Sequence, residues 1–234
     1  YGECYRLVGE LRQVTVLGAG SWGTAVAEHL ARAGFQVRFW GRNSEQIRLI
    51  NERQENARYF PNIKLSQRVK GYTDLRTAVR GSELVVMAVP SHSVREVSAE
   101  LKSYLTGFEV LVSTSKGLDD ERLETMSQLI KRVIGPEVRL AVLSGPSFAL
   151  EVIQGKPTLV TCAAATLEMA EIAAKYFHFN NFRVYTSTDV LGGEYSGVLK
   201  NVIAVAVGIL DGLNVGLNAR AALMTRGLAE MARF

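Results

Sequence analysis

The stretch Gly18-Ala19-Gly20-Ser21-Trp22-Gly23 decides the fold of this 234-residue chain. It follows a short apolar run, residues 14–17, and precedes a helix-like segment, residues 24–32. In that strand–turn–helix context, G-x-G-x-x-G is typical of dinucleotide binding. Gly18 would permit the tight turn, Gly20 the approach of the backbone to a pyrophosphate, and Gly23 the close packing of helix on strand. A glycine-rich turn without a ligand is the alternative interpretation.

Apolar runs alternate with helix-like segments along most of the remaining chain. This alternation indicates α/β architecture, a Rossmann-like and mostly parallel sheet with helices on both faces. Runs that stay apolar without alternating are typical of strands buried on both sides. The predicted strands after the first are residues 36–40, 84–89, 110–112 and 138–143, followed by a pair at 158–162 and 182–185 that flanks a helix at 167–177.

The pattern changes near residue 187, where two helices replace the alternation. They cover residues 194–210 and 219–234, and the first is almost wholly apolar after Asn201. A helix so apolar is expected to be buried on most sides, as domain core or as a dimer surface. We therefore predict an N-terminal extension at residues 1–12, a nucleotide-binding domain at 13–186, and an incomplete all-α domain at 187–234.

Composition argues against several classes of function. The net charge is +4 and its charges are scattered, whereas nucleic-acid binding needs a basic face. Cys4 and Cys162 form no ligand cluster with the three histidines, so we predict no metal site. No run approaches the roughly 18 apolar residues of a membrane span. Because the sequence begins with Tyr1, a removed targeting segment stays open.

Five polar or glycine-rich loops follow the predicted strands. In open α/β sheets, ligands bind beyond the carboxyl ends of the strands. These loops are therefore the expected rim of a cofactor and substrate cleft. They are residues 18–23, 40–43, 89–92, 113–117 and 144–147.

Arg42 ends the second predicted strand, 19 residues after Gly23. NAD-selective sites usually place Asp or Glu near this point for the ribose 2′-hydroxyl, while an Arg accommodates the 2′-phosphate of NADP. Residues 41–43 offer no carboxylate. The sequence thus predicts NADP or NAD as cofactor, with NADP preferred. A surface arginine without this role is the alternative.

Two lysines are candidates for the chemistry. Lys116 follows a predicted strand, where it could contact a phosphate or a substrate oxygen or else lie in solvent. Lys200 opens the apolar helix, and burial there would lower its pKa and suit it to proton transfer. A lysine that extends from the helix end into solvent is the alternative for Lys200.

Together these segments resemble the NAD(P)-dependent glycerol-3-phosphate dehydrogenases of the bacterial or plastid kind. The likeness covers residues 13–234 in unbroken order. It lies in residues 18–25, 59–61, 89–91, 114–117, 144–149 with Glu151, 197–202, 211–213, 218–223 and 225–228.

The resemblance implies reversible hydride transfer between NAD(P)H and C2 of dihydroxyacetone phosphate, which gives sn-glycerol 3-phosphate for glycerophospholipid synthesis. It implies that Lys116 bridges cofactor and substrate, that Gly145, Ser147 and Asn201 hold the substrate, and that Lys200 is the proton donor and acceptor. The cofactor contacts implied beside the glycines are Ser21, Trp22, Arg42, Tyr59, Pro90, Lys116 and Ala149.

The resemblance also sets expectations for the setting of the protein. The partner is a small phosphate-bearing substrate, the location is cytoplasmic or the plastid stroma, and a homodimer is open. Family members continue beyond residue 234 with an Asp near the reacting centre and a Ser-Arg-Asn segment for the substrate phosphate. Whether the chain as given turns over the substrate or only binds the cofactor stays open.

Two other functions remain as alternatives. One is a two-domain dehydrogenase that acts on a β-hydroxyacid, for which Lys200 and Asn201 would also suit. The loops at residues 114–117 and 144–149 argue against it. The other is a non-catalytic NADP-binding protein.

Overall fold

The computed structural model of the chain describes residues 12–233. The extension predicted at residues 1–12 thus lies outside the described residues except for Arg12, as does Phe234. The described elements are, in order, β1 Gln13–Leu17, α1 Ser21–Arg32, β2 Gln36–Trp40, α2 Ser44–Arg53, β3 Val69–Tyr72, α3 Leu75–Val79, β4 Leu84–Met87, α4 Ser91–Leu101, β5 Val110–Ser113, α5 Met126–Ile134, β6 Leu140–Ser144, α6 Ala149–Ile153, β7 Thr158–Ala164, α7 Leu167–Phe177, β8 Phe182–Ser187, α8 Val190–Gly212 and α9 Leu217–Arg233.

The strands form one sheet in the order β3-β2-β1-β4-β5-β6-β7-β8. Neighbours from β3 to β6 are parallel, β7 pairs antiparallel with β6, and β8 pairs parallel with β7. This confirms the predicted Rossmann-like, mostly parallel sheet. The strand order reverses between β1 and β4, and such a switch point is where open α/β sheets bind ligands.

Helices cover both faces of the sheet, and β4 shows how the sequence achieves this. All four of its side chains are buried. Leu84 and Val86 join one apolar cluster, with residues of α1, α2, α6 and α7. Val85 and Met87 point the other way, toward a cluster that includes residues of α3, α4 and α5. Alternation along each strand thus supplies two apolar layers.

Three elements are absent from the sequence prediction: β3, α4 and α6. β3 lies at the sheet edge and has Val69 as its one buried residue. α4 begins directly after Pro90, and α6 is only five residues long. β3 and α6 are too short to give a clear periodic signal.

The expectation that α8 is buried on most sides is wrong for its second half. Glu194 and Gly197 are buried in the first half, but Val202 and Val205 are each 65% exposed. The helix packs mainly against β6, β7 and α9. Since its buried residues all lie in the first half, the sheet covers that half alone.

α8 is the one helix among residues 12–233 that is long and apolar enough to cross a membrane, with a mean hydropathy of 1.3. Length and composition are weak indications on their own, because core helices pass the same test. The buried carboxylate of Glu194 ties the helix to the sheet domain. This packing is consistent with the prediction of no membrane span.

The predicted domain boundary near residue 187 falls between two elements. β8 ends at Ser187, and α8 begins at Val190 with Asp189 as its N-cap. The Asp189 side chain accepts a hydrogen bond from the N–H of Gly192 at 2.8 Å. The division into domains stays a prediction.

We predict that Gly23→Ala destabilises the fold by at least about 2 kcal/mol, because inserting atoms into close-packed structure forces the backbone to move. A Cβ on Gly23 would lie 1.9 Å from the carbonyl oxygen of Gly18. Urea unfolding measures the effect. The matched control is Gly20→Ala, since Gly20 has φ −80° and ψ −176° and a Cβ there meets no atom within 4 Å among the described residues. Equal stability of the two variants would contradict the packing argument.

Candidate functional site

A cleft of about 620 Å³ opens at the carboxyl ends of β1, β2, β4 and β5, a size in the range of small-molecule sites. The five loops predicted to converge all contribute to it. Among the predicted site residues, those that line the cleft are Gly18, Gly20, Ser21, Trp22, Arg42, Tyr59, Pro90, Lys116, Ser147 and Ala149. Gly23, Gly145, Lys200 and Asn201 are not among its lining residues.

The glycine loop fills the space between β1, α1 and β4. Gly18 has φ +114°, and a Cβ there would lie 2.6 Å from the carbonyl oxygen of Ala88, so a side chain is excluded. Gly20 differs, because its Cβ position points into open space among the described residues. No described side chain caps the N-terminus of α1. The first N–H groups of α1 are therefore left for an anion at a helix N-terminus.

A buried amide network supports this loop, and the sequence analysis missed it. Asn56 is 2% exposed. Its Nδ2 donates to the Ala19 carbonyl at 3.2 Å and to Thr24 Oγ1 at 2.8 Å. Gln46 Nε2 donates to the same Ala19 carbonyl at 2.7 Å and to Asn56 Oδ1 at 3.0 Å. Two side chains from α2 and the following loop thus fix the main chain of the glycine turn.

Arg42 lies at one end of the cleft, after β2. Its Nη2 pairs with Glu96 Oε2 of α4 at 2.7 Å, and its guanidinium carbon lies 5.9 Å from the centroid of the Trp40 ring. Both charged side chains are exposed, with half or more of each in solvent. A cation over an aromatic ring at the end of β2 can contact a phosphate while its stem stays packed.

The loop after β5 presents Lys116 to the cleft. Thr114 Oγ1 donates to the Met87 carbonyl at 2.9 Å, and Ser115 Oγ donates to the Val89 carbonyl at 2.6 Å. These bonds attach the loop to the end of β4, just before Pro90. The two small hydroxyl residues therefore fix the main chain from which the Lys116 side chain extends.

Lys116 meets Lys200 of α8. Burial, then the positive charge of Lys200 and a hydrogen bond with it, lower the pKa of Lys116 to about 8. The Lys116 side chain is exposed as a whole, so the local surroundings of its amine, rather than the exposure of the residue, account for this shift.

The loop after β6 brings Ser147 to the cleft but leaves Gly145 behind it. Gly145 has φ +154°, and a Cβ there would lie 2.9 Å from the Leu159 carbonyl oxygen of β7. Ser147 Oγ donates to the Gly145 carbonyl at 3.3 Å. Asn201 follows Lys200 on α8 and is exposed. Lys200 acts on Lys116, which lines the cleft, but neither Lys200 nor Asn201 lines the cleft itself.

Phe148 is a cleft residue that the sequence analysis did not single out. It lines the cleft between Ser147 and Ala149 and is 75% exposed. Exposed aromatic rings in clefts commonly pack on ligands. Phe148 directly follows the loop at residues 144–147, which was predicted to line the cleft, and directly precedes α6. That position was the signal in the sequence.

Other candidate groups lie away from the cleft. Burial raises the pKa of the Cys162 thiol to about 12, so the thiol is inert. His29 is buried on α1, where its Nε2 bonds to the Phe177 carbonyl at 2.7 Å and burial lowers its pKa. Within residues 12–233, no group of three His, Cys, Asp or Glu side chains could hold a metal ion.

Two family models match the chain. The N-terminal model of NAD-dependent glycerol-3-phosphate dehydrogenase covers residues 13–170, and the C-terminal model covers residues 189–234. Together they span both the glycine loop and the helix that carries Lys200.

Curated relatives and solved structures give the same picture. The chain is 48% identical over 221 residues to a glycerol-3-phosphate dehydrogenase [NAD(P)+] of Myxococcus xanthus, covering 94% of this chain and 66% of that protein. It is 49% identical over 220 residues to that of Moorella thermoacetica, covering 94% of this chain and 65% of that protein. A crystal structure of glycerol-3-phosphate dehydrogenase from Coxiella burnetii has a TM-score of 0.88 and 38% identity, covering 95% of this chain and 68% of that one.

The chain thus spans about two thirds of the length of the curated relatives that it matches. The two family models follow one another in order along it, with the cleft built largely from the first and Lys200 from the second. On these matches, the chain belongs to the NAD-dependent glycerol-3-phosphate dehydrogenase family.

Proposed function

We propose that this chain binds NAD(P)H and interconverts dihydroxyacetone phosphate and sn-glycerol 3-phosphate by hydride transfer. The observation that carries the proposal is the packing of Lys116, which lines the glycine-loop cleft, against α8 at Gly197, three residues before Lys200. The names of the relatives, glycerol-3-phosphate dehydrogenase [NAD(P)+], support the same substrate and cofactor.

The residues of the cleft fit a nicotinamide dinucleotide. The open Cβ position of Gly20 leaves room for the backbone to approach a diphosphate. The uncapped N-terminus of α1 supplies N–H donors for it. Ser21 and Trp22 at the start of α1, with Tyr59, Pro90 and Ala149, would then line the remainder of the bound cofactor.

The two lysines supply what the carbonyl needs during reduction. The nicotinamide nucleotide that the glycine loop would hold would supply the hydride; C2 of the ketone would accept it, and the electron pair of the C=O bond would move to oxygen. An ammonium stabilises that developing oxyanion and gives it a proton, which completes the alcohol. We assign the proton transfer to Lys200 and the contact between cofactor and substrate to Lys116. In the reverse direction the neutral amine takes the proton back.

The substrate would lie between the loop after β6 and the first half of α8. Ser147 is at the cleft, and we propose that it holds the substrate together with Gly145 and Asn201. Gly145 would act through its main chain, since its side-chain position is closed by β7. We further propose a cytoplasmic location, a role in glycerophospholipid synthesis, and a homodimer as the assembly, for which the exposed Val202 and Val205 offer an apolar contact.

We predict that adding dihydroxyacetone phosphate causes prompt loss of NADPH absorbance with the wild-type protein, and that Lys200→Met lowers kcat by about 10²–10⁴-fold, the usual contribution of a positioned proton donor. The Kd for NADPH stays within about twofold, because Lys200 is outside the dinucleotide cleft. Stopped-flow absorbance and calorimetry measure the two quantities. Lys175→Met, an exposed lysine on α7, is the control. Near wild-type turnover by Lys200→Met would remove Lys200 from the mechanism.

We predict that kcat/KM for ketone reduction falls as the pH rises through about 8, because Lys116 then loses the charge that attracts a phosphate-bearing substrate. The kcat/KM profile reports the pKa values of the free enzyme. Lys116→Arg keeps a positive charge at every working pH and moves the fall to higher pH. Initial rates between pH 6.5 and about 10 test this expectation. A flat wild-type profile, or an unchanged midpoint in Lys116→Arg, would count against it.

We predict that Arg42→Ala weakens NADPH binding by about tenfold or more, the worth of a hydrogen bond to a charged group, and leaves NADH binding nearly unchanged. Fluorescence titration gives the two Kd values and their ratio. Arg48→Ala is the matched control, since Arg48 is also exposed and paired with carboxylates, on α2. If Arg42→Ala keeps the wild-type ratio of the two affinities, Arg42 does not select the cofactor.

A further inference from the structure

Glu194 ties α8 to a helix elsewhere in the chain. It is 8% exposed. Its Oε1 accepts the main-chain N–H of Ser127 at 2.7 Å, and its Oε2 accepts the Ser127 hydroxyl at 2.5 Å. Ser127 lies in the first turn of α5, between the two capping-box residues Thr125 and Gln128. A buried carboxylate thus meets a helix N-terminus, where free N–H groups and the helix dipole favour a negative charge.

The same part of α8 packs against the end of β6 and the loop that carries Lys116. Gly197 is buried, and a Cβ there would lie 3.3 Å from Ser144 Oγ and 3.8 Å from Lys116 Cγ. Residues three apart are neighbours on a helix surface, so Glu194, Gly197 and Lys200 follow one another along α8. Glu194 and Lys200 are separated by about 9 Å along the helix axis. Any shift of α8 at Glu194 is therefore passed to Lys200.

The lysine pair needs such an anchor, because two cations repel each other. Lys200 is the charged group that acts on Lys116 within the described chain. The first half of α8 contains the buried Glu194 and Gly197, and Glu194 attaches it to α5. This half of the helix also carries Lys200.

We propose that Glu194 is a positioning residue. Its contact with the N-terminus of α5 fixes the position of α8, and α8 in turn holds Lys200 beside Lys116. The inference rests on the proposed function for the role of the lysines. If Glu194 had a purely structural role, replacing it would lower only the stability of the protein. If it has a positioning role, replacing it also changes the titration of Lys116 in protein that stays folded.

The test compares Glu194→Gln with Ser127→Ala, and both with the control Glu168→Gln. Glu168 is an exposed acid in the first turn of α7, so the control makes the same chemical change at another helix N-terminus. The readout is the pH dependence of Lys116 acetylation by acetic anhydride, followed by mass spectrometry. In Glu194→Gln the midpoint should rise from about 8 toward the ordinary lysine value, because the amine gains solvent and loses its cationic neighbour.

Ser127→Ala should shift the midpoint in the same direction by less, since it removes the hydroxyl donor and keeps the main-chain N–H. It also keeps the test decisive if Glu194→Gln does not fold. Glu168→Gln should leave the midpoint where it is. A wild-type midpoint in the folded Glu194→Gln or, failing that, in Ser127→Ala overturns the proposal.

Turnover supplies a second readout. We expect kcat of Glu194→Gln to fall by about tenfold or more, because small misplacements of a catalytic group are costly, while the Kd for NADPH stays within about twofold. A kcat loss that matches only the unfolded fraction overturns the positioning role. A shifted Lys116 midpoint in protein that binds no nicotinamide nucleotide supports the positioning of the pair and refutes the proposed function. Cofactor binding with an unshifted midpoint supports the proposed function and refutes the positioning of the pair.

Discussion

The approach of α8 to the loop after β5 is the constraint on which the candidate site depends. Lys116 comes from that loop and Lys200 from the first half of α8, and a Cβ on Gly197 of α8 would lie 3.8 Å from Lys116 Cγ. Two ammonium groups brought close together repel each other. Thr114 and Ser115 attach the loop to β4, and Glu194 attaches α8 to α5. The energy of these neutral and charge-assisted hydrogen bonds offsets an arrangement that is unfavourable in itself.

At the glycine loop, the first N–H groups of α1 have no side-chain cap among the described residues. A helix N-terminus without a cap lacks the stabilising hydrogen bonds of a capping side chain until an anion binds. Other contacts must therefore fix its position. Asn56 and Gln46 do this through the Ala19 carbonyl, on the side of the turn away from the helix amides. The close packing of Gly23 on Gly18 does it from within. These contacts hold the main chain of the loop, and a preformed site costs less ordering when a ligand binds.

Much of the fold could be predicted because its signals are local. The glycine spacing and the strand at residues 84–87 report on neighbours in sequence, and Lys116 and Lys200 stand out by position. Asn56 and Glu194 could not be predicted in the same way, since their partners lie 32 and 67 residues away. The burial of α8 was overestimated because apolar composition does not say what covers a helix. α4 was recoverable, as Val94, Val97 and Leu101 follow helical spacing.

The chemistry of the site follows from what a pair of amines demands. Two ammonium groups close together attract an anion, because each carries a positive charge and donates hydrogen bonds. An anion beside Lys116 would raise the pKa of that lysine above about 8, since a nearby negative charge favours the charged form of an amine. Under the proposed function, a phosphate-bearing ketone would therefore meet a charged lysine, whereas a neutral ketone would lack this attraction.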